Sequence, residues 1–289
     1  MRLVICVDES HLKGQYKETL LVAATQDANL QMYPPAWSVV DGETNASWYW
    51  FFVKLKDVID NSNQLCLHLA YRENLIAKYS SSNVIFLFKW AVPAYRISKF
   101  DLLMTEIRTI RPSMTSYLER AGISTWSWAN FVGNRYNIMT NNIAESLNSV
   151  LRRQQSFPIT SLVENITSSI QRWFYERKSA STKYSTTVTP KIDDELRKSF
   201  NASATLLVRN LDELFFKVGV ATELCTINLI GNTCSCREFQ MRQISYSHAS
   251  RATYAKEKSL YELCSSYYTT ECWRAAYNEV LYPVDRESD

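Results

Sequence analysis

Residues 2–8, Arg-Leu-Val-Ile-Cys-Val-Asp, form a short apolar run that ends in an acid, and further apolar runs follow at residues 19–25 and 31–40. Asp, Lys, Gly and Asn residues lie between the three runs. Short apolar runs bounded by such residues are typical of β-strands joined by tight connections. The pattern therefore predicts an antiparallel meander at the start of the chain.

The spacing of bulky residues changes after the third strand. Residues 47–59 are dense in aromatic and aliphatic side chains and long enough for a helix capped by Asn45 or Ser47. Helical patterns dominate from Lys89 to about Ala180, whereas alternating patterns typical of strands return after residue 205. The chain is therefore predicted to be mixed α/β. The remaining predictions are strands at 64–69, 84–88, 206–208, 214–220 and 224–230, helices at 73–79, 141–153, 159–178 and 190–200, and a Ser/Thr-rich linker at 179–189.

Composition excludes several classes of protein. Of the 289 residues 46% are apolar, which is enough to bury a core, and no apolar run approaches the ~20 residues of a membrane span. We therefore expect a soluble intracellular protein. The net charge of +3 leaves the partner open, because phosphate binding depends on a local basic patch. Five of the seven cysteines lie in the last quarter, which favours a local metal or thiol site over a secreted disulfide framework.

Asp8 is the first chemical candidate. It follows the first apolar run directly and precedes Glu-Ser-His-Leu-Lys-Gly at residues 9–14. A carboxylate at a strand end can hold a divalent cation, because Mg²⁺ prefers oxygen ligands and the strand fixes their direction. Taken alone, the same position also suits a turn residue that caps a backbone amide.

Several segments resemble the transposase domain of plant Mutator-like elements. They are Val7-Asp-Glu-Ser-His-Leu-Lys-Gly14, Leu21-Val-Ala-Ala-Thr-Gln-Asp27, Tyr33-Pro34, Val39-Val-Asp41, Ser47-Trp-Tyr-Trp-Phe-Phe52 and Asn134 to Ser149. The resemblance implies a ribonuclease-H-like α/β domain with a helical insertion. It also implies that two Asp and one Glu hold two Mg²⁺ or Mn²⁺ ions, which stabilise the attacking and leaving oxygens of a phosphoryl displacement.

The resemblance assigns two of the family's three acids to residues of this chain. Asp8 matches the first Asp, and Glu145, within Asn142-Ile-Ala-Glu-Ser-Leu-Asn148, matches the Glu. Tyr71 stands where the family has its second Asp, and a phenol with a pKa of ~10 is a poor magnesium ligand. Glu73 is the nearest acid that can substitute, and the segment that follows is shorter than in the family. We therefore expect catalysis to be impaired.

A small zinc finger is predicted after the transposase domain. Cys234-Ser-Cys236, followed by Ser247-His248, is similar to the SWIM-type finger of the same family, whose ligand order is Cys-x-Cys, then Cys-x-His. Tyr246 stands at the third Cys position, so Cys234, Cys236 and His248 make a partial Zn²⁺ site. The fourth ligand is left open among water, Cys225, Cys264 and Cys272, and the site can also be empty.

Together these features predict a degenerate plant Mutator-like transposase that lacks the family's N-terminal DNA-binding region and lies in the nucleus. We expect weak DNA binding, no membrane partner, and protein partners or a homo-oligomer; basic residues near Arg152 and Lys178 can contact DNA or simply face solvent. The alternatives are a domesticated non-enzymatic regulator and a pseudogene product without function. Predicted boundaries are 1–180 for the transposase domain, 181–213 for a linker and helix, 214–255 for the finger and 256–289 for a tail.

Overall fold

The computed structural model describes residues 4–13, 18–59, 66–68, 82–131, 138 and 142–282. The chain divides into two units, each built from separate segments. The first unit contains residues 1–69, 140–192 and 266–289, and the second contains residues 70–139 and 193–265. The domain boundaries predicted from the sequence stay a prediction.

Helices and strands alternate in blocks along the described residues, which form a mixed α/β structure. The strands are β1 Val4–His11, β2 Thr19–Gln26, β3 Met32–Val40, β4 Cys66–His68, β5 Leu207–Asn210, β6 Phe215–Val220, β7 Glu223–Asn228 and β8 Thr233–Cys234. The helices are α1 Asn45–Val58, α2 Ser82–Ala91, α3 Ile97–Ile110, α4 Pro112–Arg120, α5 Ile123–Trp126, α6 Asn142–Leu151, α7 Ile159–Thr182, α8 Pro190–Ser203, α9 Glu238–Arg242, α10 Ser247–Ala255 and α11 Thr270–Ala276. None of these helices has the length and apolarity needed to cross a membrane.

The first unit contains a four-stranded sheet with the order β3-β2-β1-β4. β1, β2 and β3 pair antiparallel, which confirms the predicted meander, and β4 pairs parallel to β1. β1 is therefore an inner strand with hydrogen-bonding partners on both sides. This arrangement holds the backbone of β1 firmly, because an inner strand satisfies its peptide groups on both edges.

Helix α1 covers one face of this sheet. Ile5, Val7, Leu21, Phe51 and Leu55 are buried in one core there. The helix is capped by Thr44, whose side chain accepts a hydrogen bond from the Ser47 amide, so the predicted caps Asn45 and Ser47 were wrong. Thr44 has the extended backbone that an N-cap requires, whereas Asn45 and Ser47 already lie inside the helix.

A buried carboxylate links the β2–β3 turn to α11 within the first unit. Asp27 accepts hydrogen bonds from the amides of Asn29 and Gln31, and from Trp273 Nε1 at 3.1 Å and the Tyr277 hydroxyl at 2.9 Å. Burial raises the pKa of Asp27, while these donors oppose the rise. Asp27 is thus a satisfied buried acid that holds the helix, which accounts for it without any catalytic role.

Helices α2 to α5 form one part of the second unit. Val84, Phe88 and Ala91 lie on the buried side of α2 at helical spacing. The strand predicted at 84–88 was wrong, because five apolar residues in a row suit a buried strand and a buried helix equally. The spacing of four and three residues among the buried side chains shows which alternative the chain adopts. The helix predicted at 73–79 lies outside the described residues.

The other part of the second unit is an antiparallel sheet with the order β5-β6-β7-β8. Phe216, Val218, Cys225 and Ile227 point to one face, where α9 and α10 complete a core. The three strands predicted in this region are confirmed, and the predicted first and last residues differ from the observed ones by no more than two positions. In the first unit, α7 continues through Thr182, one turn beyond the predicted end at residue 178.

Candidate metal sites

Asp8 lies in the middle of β1 and not at its end. β1 continues through His11, which pairs with Thr19, so the predicted position at a strand end was wrong. Successive side chains of a strand point to opposite faces. Because Ile5 and Val7 pack in the core beneath α1, Asp8 lies on the opposite face of the sheet.

Helix α6 packs on the face that carries Asp8. Ala144, Leu147 and Leu151 form the buried side of this helix, which contacts β1 and β2. Asn148 is also buried, at 9% exposure, and its Nδ2 donates to Asp8 Oδ2 at 2.7 Å and to the Glu9 carbonyl at 3.3 Å. A polar residue on the apolar side of α6 is therefore used to fix the Asp8 carboxylate.

Glu145 stands three residues before Asn148 on α6 and is exposed to solvent. Burial raises the pKa of Asp8 to about 6, and the negative charges of Glu9 and Glu145 add to the rise, whereas the Asn148 hydrogen bond opposes it. The fold therefore brings Asp8 and Glu145 near enough for their charges to interact. We call Asp8, Glu145 and Asn148 the acid site.

The acid site offers oxygen atoms that suit Mg²⁺ or Mn²⁺. Asn148 Oδ1 is buried and has no hydrogen-bond partner among the described residues, and an amide oxygen beside two carboxylates is an acceptable ligand for such ions. The donor chemistry therefore fits a divalent cation. Tyr71 and Glu73, however, lie outside the described residues. Among the residues that the structure describes, no further acid or histidine joins Asp8 and Glu145 in a metal-binding cluster.

A second candidate site lies in the second unit, where four side chains converge. Cys225 comes from β7, Cys234 from β8, Cys236 from the turn after β8 and His248 from the first turn of α10. Their ligand atoms all lie within 4.8 Å of one another. We call these four residues the Cys/His cluster. The structure thus brings together all three predicted zinc ligands.

The β7–β8 hairpin explains how Cys225 reaches the cluster. Ile227 pairs with Cys234, and the Ser235 amide donates to the Thr226 carbonyl at 2.9 Å. Continuing this register places Cys225 opposite Cys236. The left-handed backbone of Arg237, with φ of 68°, then turns the chain into α9. The sequence left Cys225 as one of three open candidates. Strand pairing in the hairpin selects Cys225, because each step back along β7 is matched by one step forward from β8, which brings Cys225 opposite Cys236.

Three sulfur atoms and one imidazole nitrogen are a ligand set that zinc takes in closed structural sites. The pKa of Cys236 is lowered because Cys234 donates a hydrogen bond to it, and the same bond raises the pKa of Cys234. One thiolate is thus already favoured before any ion is present, and zinc binds the thiolate form. The cluster therefore fits zinc in its donor atoms and their charge.

Tyr246, at the position where the resemblance places a third Cys, points into the Cys/His cluster. Its hydroxyl lies 2.5 Å from Cys236 Sγ, 2.5 Å from His248 Nδ1 and 3.1 Å from Cys234 Sγ. The side chain is only 3% exposed, and burial raises its pKa, with the nearby thiols adding to the rise. Tyr246 is therefore a neutral phenol hydrogen-bonded to the predicted zinc ligands.

A cation lies on the other side of Cys225. Arg96, which precedes α3, donates from Nη2 to Cys225 Sγ at 3.1 Å and also forms an ion pair with Glu223. A guanidinium at hydrogen-bond distance stabilises a thiolate in preference to a thiol. Arg96 was not predicted as a site residue, because no sequence motif connects it with a cysteine 129 positions later in the chain.

The basic residues suggested for DNA contact divide into two groups. Arg177 donates to the Met32 carbonyl and the Tyr277 hydroxyl, and Lys178 donates to the Asn278 carbonyl, so these two stabilise the first unit. Arg152 and Arg153, directly after α6, are exposed, and neither forms an ion pair with another described residue. Arg152 and Arg153 can therefore offer charge to a ligand in solution.

Residues 4–73 match the family model of the MULE transposase domain. This stretch contains β1 to β4 and therefore Asp8, and it also includes Tyr71 and Glu73. A comparison of the chain with curated proteins finds no match. The family match supports a Mutator-like transposase for the part of the chain that carries the first acid.

Proposed function

We propose that the chain is a Mutator-like transposase derivative that binds zinc and DNA and is impaired in DNA strand cleavage. The observation that carries the proposal is the acid site: within the stretch that matches the MULE domain, Asp8 is fixed by Asn148 on the helix that also carries Glu145. The mixed sheet, with α6 over the Asp8 face, supports a ribonuclease-H-like domain. We expect the protein in the nucleus.

In this proposal Asp8 and Glu145 are the first and last of the family's three acids. Divalent cations bound there would stabilise charge on the attacking and leaving oxygens of a phosphodiester. Asn148 orients the Asp8 carboxylate, and the pKa of about 6 keeps most of that carboxylate ionised at neutral pH. A tyrosine at position 71 removes one negative charge and one oxygen ligand, which lowers cation affinity and disturbs the geometry of any ion that binds.

Cys234, Cys236 and His248 are proposed to hold zinc as a structural ion. The free energy of zinc coordination is also folding free energy, so an ion here stabilises the β7–β8 hairpin against α9 and α10. In this role the ion holds the β7–β8 hairpin, α9 and α10 together as a structural module and takes no part in catalysis. It also leaves the exposed surfaces of the module open to a protein partner or a second copy of the chain.

Arg152 and Arg153 are proposed to bind DNA phosphates. They follow Glu145 by seven and eight residues, just past the end of α6 at Leu151, and seven helical residues span about 10 Å. Charge at that distance can hold a phosphate backbone close to the acid site. Arg177 and Lys178 are used within the first unit, so DNA affinity should be low and sensitive to salt.

Incubating the full chain with terminal-repeat DNA and Mg²⁺ or Mn²⁺ tests the catalytic part of the proposal. We expect no cleavage above the level of an Asp8→Ala variant, because one of three metal carboxylates is missing. A Tyr71→Asp variant is the matched gain-of-function control, and weak cleavage in that variant would place the defect at this position. Robust cleavage by the wild type that Asp8→Ala abolishes would contradict the proposed impairment.

Salt-dependent binding measurements test the DNA contact. An Arg152→Gln/Arg153→Gln variant should bind duplex DNA more weakly, and the slope of log affinity against log salt should fall by about 2. The control is Arg108→Gln/Arg120→Gln, which removes the same charge from exposed positions of α3 and α4. Equal loss of affinity in both variants would show a nonspecific charge effect and would contradict a phosphate site after α6.

A further inference from the structure

We propose that Cys225 is the fourth zinc ligand, entering from β7 in place of the side chain at position 246, so that Cys225, Cys234, Cys236 and His248 form one tetrahedral site. This inference rests on the proposed zinc binding and specifies how the site is completed. The resemblance places the third thiol two residues before the histidine, where this chain has Tyr246. The hairpin supplies a thiol from a different strand instead.

Distances within the Cys/His cluster separate Cys225 from Tyr246. Ligand atoms of one tetrahedral zinc lie about 3.5 Å apart, given bond lengths of 2.0–2.3 Å. The cluster atoms lie within 4.8 Å of one another, so movements of about 1 Å bring them to that spacing. The Tyr246 hydroxyl, at 2.5 Å from both Cys236 Sγ and His248 Nδ1, lies closer to both atoms than one zinc ligand lies to another, so it must move away when an ion enters.

The Tyr246 hydroxyl lies among the ligand atoms and is hydrogen-bonded to Cys234, Cys236 and His248. Its distances to Cys236 and His248 resemble bonds from a central atom more than distances between ligands. Zinc binding therefore displaces the hydroxyl and breaks its hydrogen bonds to the ligands. Tyr246 acts as a competitor of the ion, which lowers zinc affinity without removing any ligand.

Arg96 supports Cys225 as a ligand. Zinc with three thiolates and one neutral imidazole carries a net charge of −1, and a nearby guanidinium offsets that charge. Arg96 Nη2 lies 3.1 Å from Cys225 Sγ and is held there by Glu223. Cys225 is 1% exposed, so its thiolate has little water around it and gains more from this donor. Arg96 is thus a positioning residue for the fourth ligand.

Zinc and Co²⁺ titrations of the full-length protein test the proposal. The variants are Cys225→Ser, Tyr246→Phe and, as the matched thiol control, Cys264→Ser, whose side chain lies in the same unit but outside the cluster. We expect Cys225→Ser to weaken zinc binding at least about 100-fold. The sulfur-to-Co²⁺ charge-transfer absorption of Cys225→Ser should fall by about a third, because three thiolates become two.

Tyr246→Phe should bind zinc about tenfold more tightly than wild type, because it removes the competing hydroxyl and no ligand. Cys264→Ser should bind like wild type. If Tyr246→Phe loses zinc while Cys225→Ser keeps it, tyrosine is the fourth ligand and the inference is overturned. If wild type binds zinc and both variants match it, a ligand other than Cys225 completes the site and the inference is again overturned.

The titrations also distinguish a wrong fourth ligand from the absence of any zinc site. If there is no zinc site, the wild type binds neither zinc nor Co²⁺, and the inference about Cys225 is then wrong as well. Cys225 is buried, so a folding defect in Cys225→Ser is controlled by Arg96→Gln, which changes a partly exposed side chain. Arg96→Gln should weaken zinc binding about tenfold. In protein that already carries Cys225→Ser, adding Arg96→Gln should weaken zinc binding no further. If Arg96 acts on the structure independently of Cys225, the double variant would bind zinc more weakly than Cys225→Ser alone.

Discussion

The resemblance places a tyrosine at two positions where the family has a metal ligand, Tyr71 for the acid site and Tyr246 for the Cys/His cluster. The described residues around the two sites differ. Beside Tyr246 the β7–β8 hairpin presents another thiol, Cys225, within 4.8 Å of the remaining ligands. Beside Asp8 and Glu145, no third acid joins a cluster among the described residues. A structural zinc site needs only four suitable donor atoms within reach, whereas phosphoryl transfer needs carboxylates that hold two ions in line.

The two sites also differ in the state of their ligands. In the Cys/His cluster, hydrogen bonding lowers the pKa of Cys236, so one ligand is prepared to bind metal. In the acid site, burial and neighbouring carboxylates raise the pKa of Asp8 to about 6. Ionised Asp8 therefore lowers the stability of the folded protein unless a cation is bound. The comparison therefore predicts that zinc stabilises this protein and that the acid site, without a cation, weakens it.

The largest expected effect is the loss of zinc. Chelator, or Cys236→Ser, should lower the free energy of unfolding by about 4 kcal/mol relative to protein held at 1,000 times the zinc Kd, and lower Tm by about 10 °C. Calorimetry with and without chelator measures the change. Cys264→Ser is the control and should respond to chelator as wild type does. An unchanged Tm after complete chelation would contradict a structural zinc ion.

Removing the Asn148 side chain should have the next largest effect. Asn148→Ala removes the side-chain donor of the half-buried Asp8 carboxylate, which should cost about 1–3 kcal/mol at pH 7. The cost should be smaller at pH 4, where Asp8 is protonated and needs the donor less. Denaturant unfolding at both pH values measures it, with Ser149→Ala as an exposed control on the same helix. An equal cost at both pH values would show that Asn148 does not act through Asp8.

Asp8→Asn should stabilise the protein at neutral pH. Folding raises the pKa of Asp8 from 3.8 to about 6, so the contribution of this group to stability is complete below about pH 4 and is lost as pH rises through 6. Asparagine has no charge to lose, and the gain at pH 7 should be about 1–2 kcal/mol after allowance for solvent screening. Unfolding from pH 4 to 8 measures it.

The exposed Asp41→Asn variant is the control for charge removal and should show no such pH dependence. Destabilisation by Asp8→Asn at pH 7 in the absence of divalent ions would contradict the unfavourable environment assigned to Asp8. Stabilisation of wild type, but not of Asp8→Asn, by millimolar Mg²⁺ would show instead that the acid site holds a cation by itself.

Sequence patterns predicted the local structure better than the partners of each side chain. The meander of β1 to β3 follows from three apolar runs, since each run is bounded by turn residues. The strand predicted at 84–88 failed because an apolar run lacks the periodicity that separates helix from strand.

The residues of the candidate sites were predictable from sequence motifs, but several of their contacts were not. Motif spacing indicated Cys234, Cys236 and His248, which the structure brings together. Cys225 needed the hairpin register, and Arg96 needed a tertiary contact that no local pattern contains. The Asn148 contact with Asp8 spans 140 positions, so no spacing within α6 could show which atom Asn148 binds.

Elemental analysis of metal content tests the contrast between the two sites most directly. Wild type, Cys225→Ser and Asp8→Asn would be dialysed against zinc and manganese together and then against manganese-free buffer that holds free zinc at about ten times the wild-type Kd. We predict about one zinc and no retained manganese in wild type and Asp8→Asn, and less than about a tenth of an equivalent of zinc in Cys225→Ser. Full zinc occupancy in Cys225→Ser, or manganese that wild type retains and Asp8→Asn loses, would contradict the account.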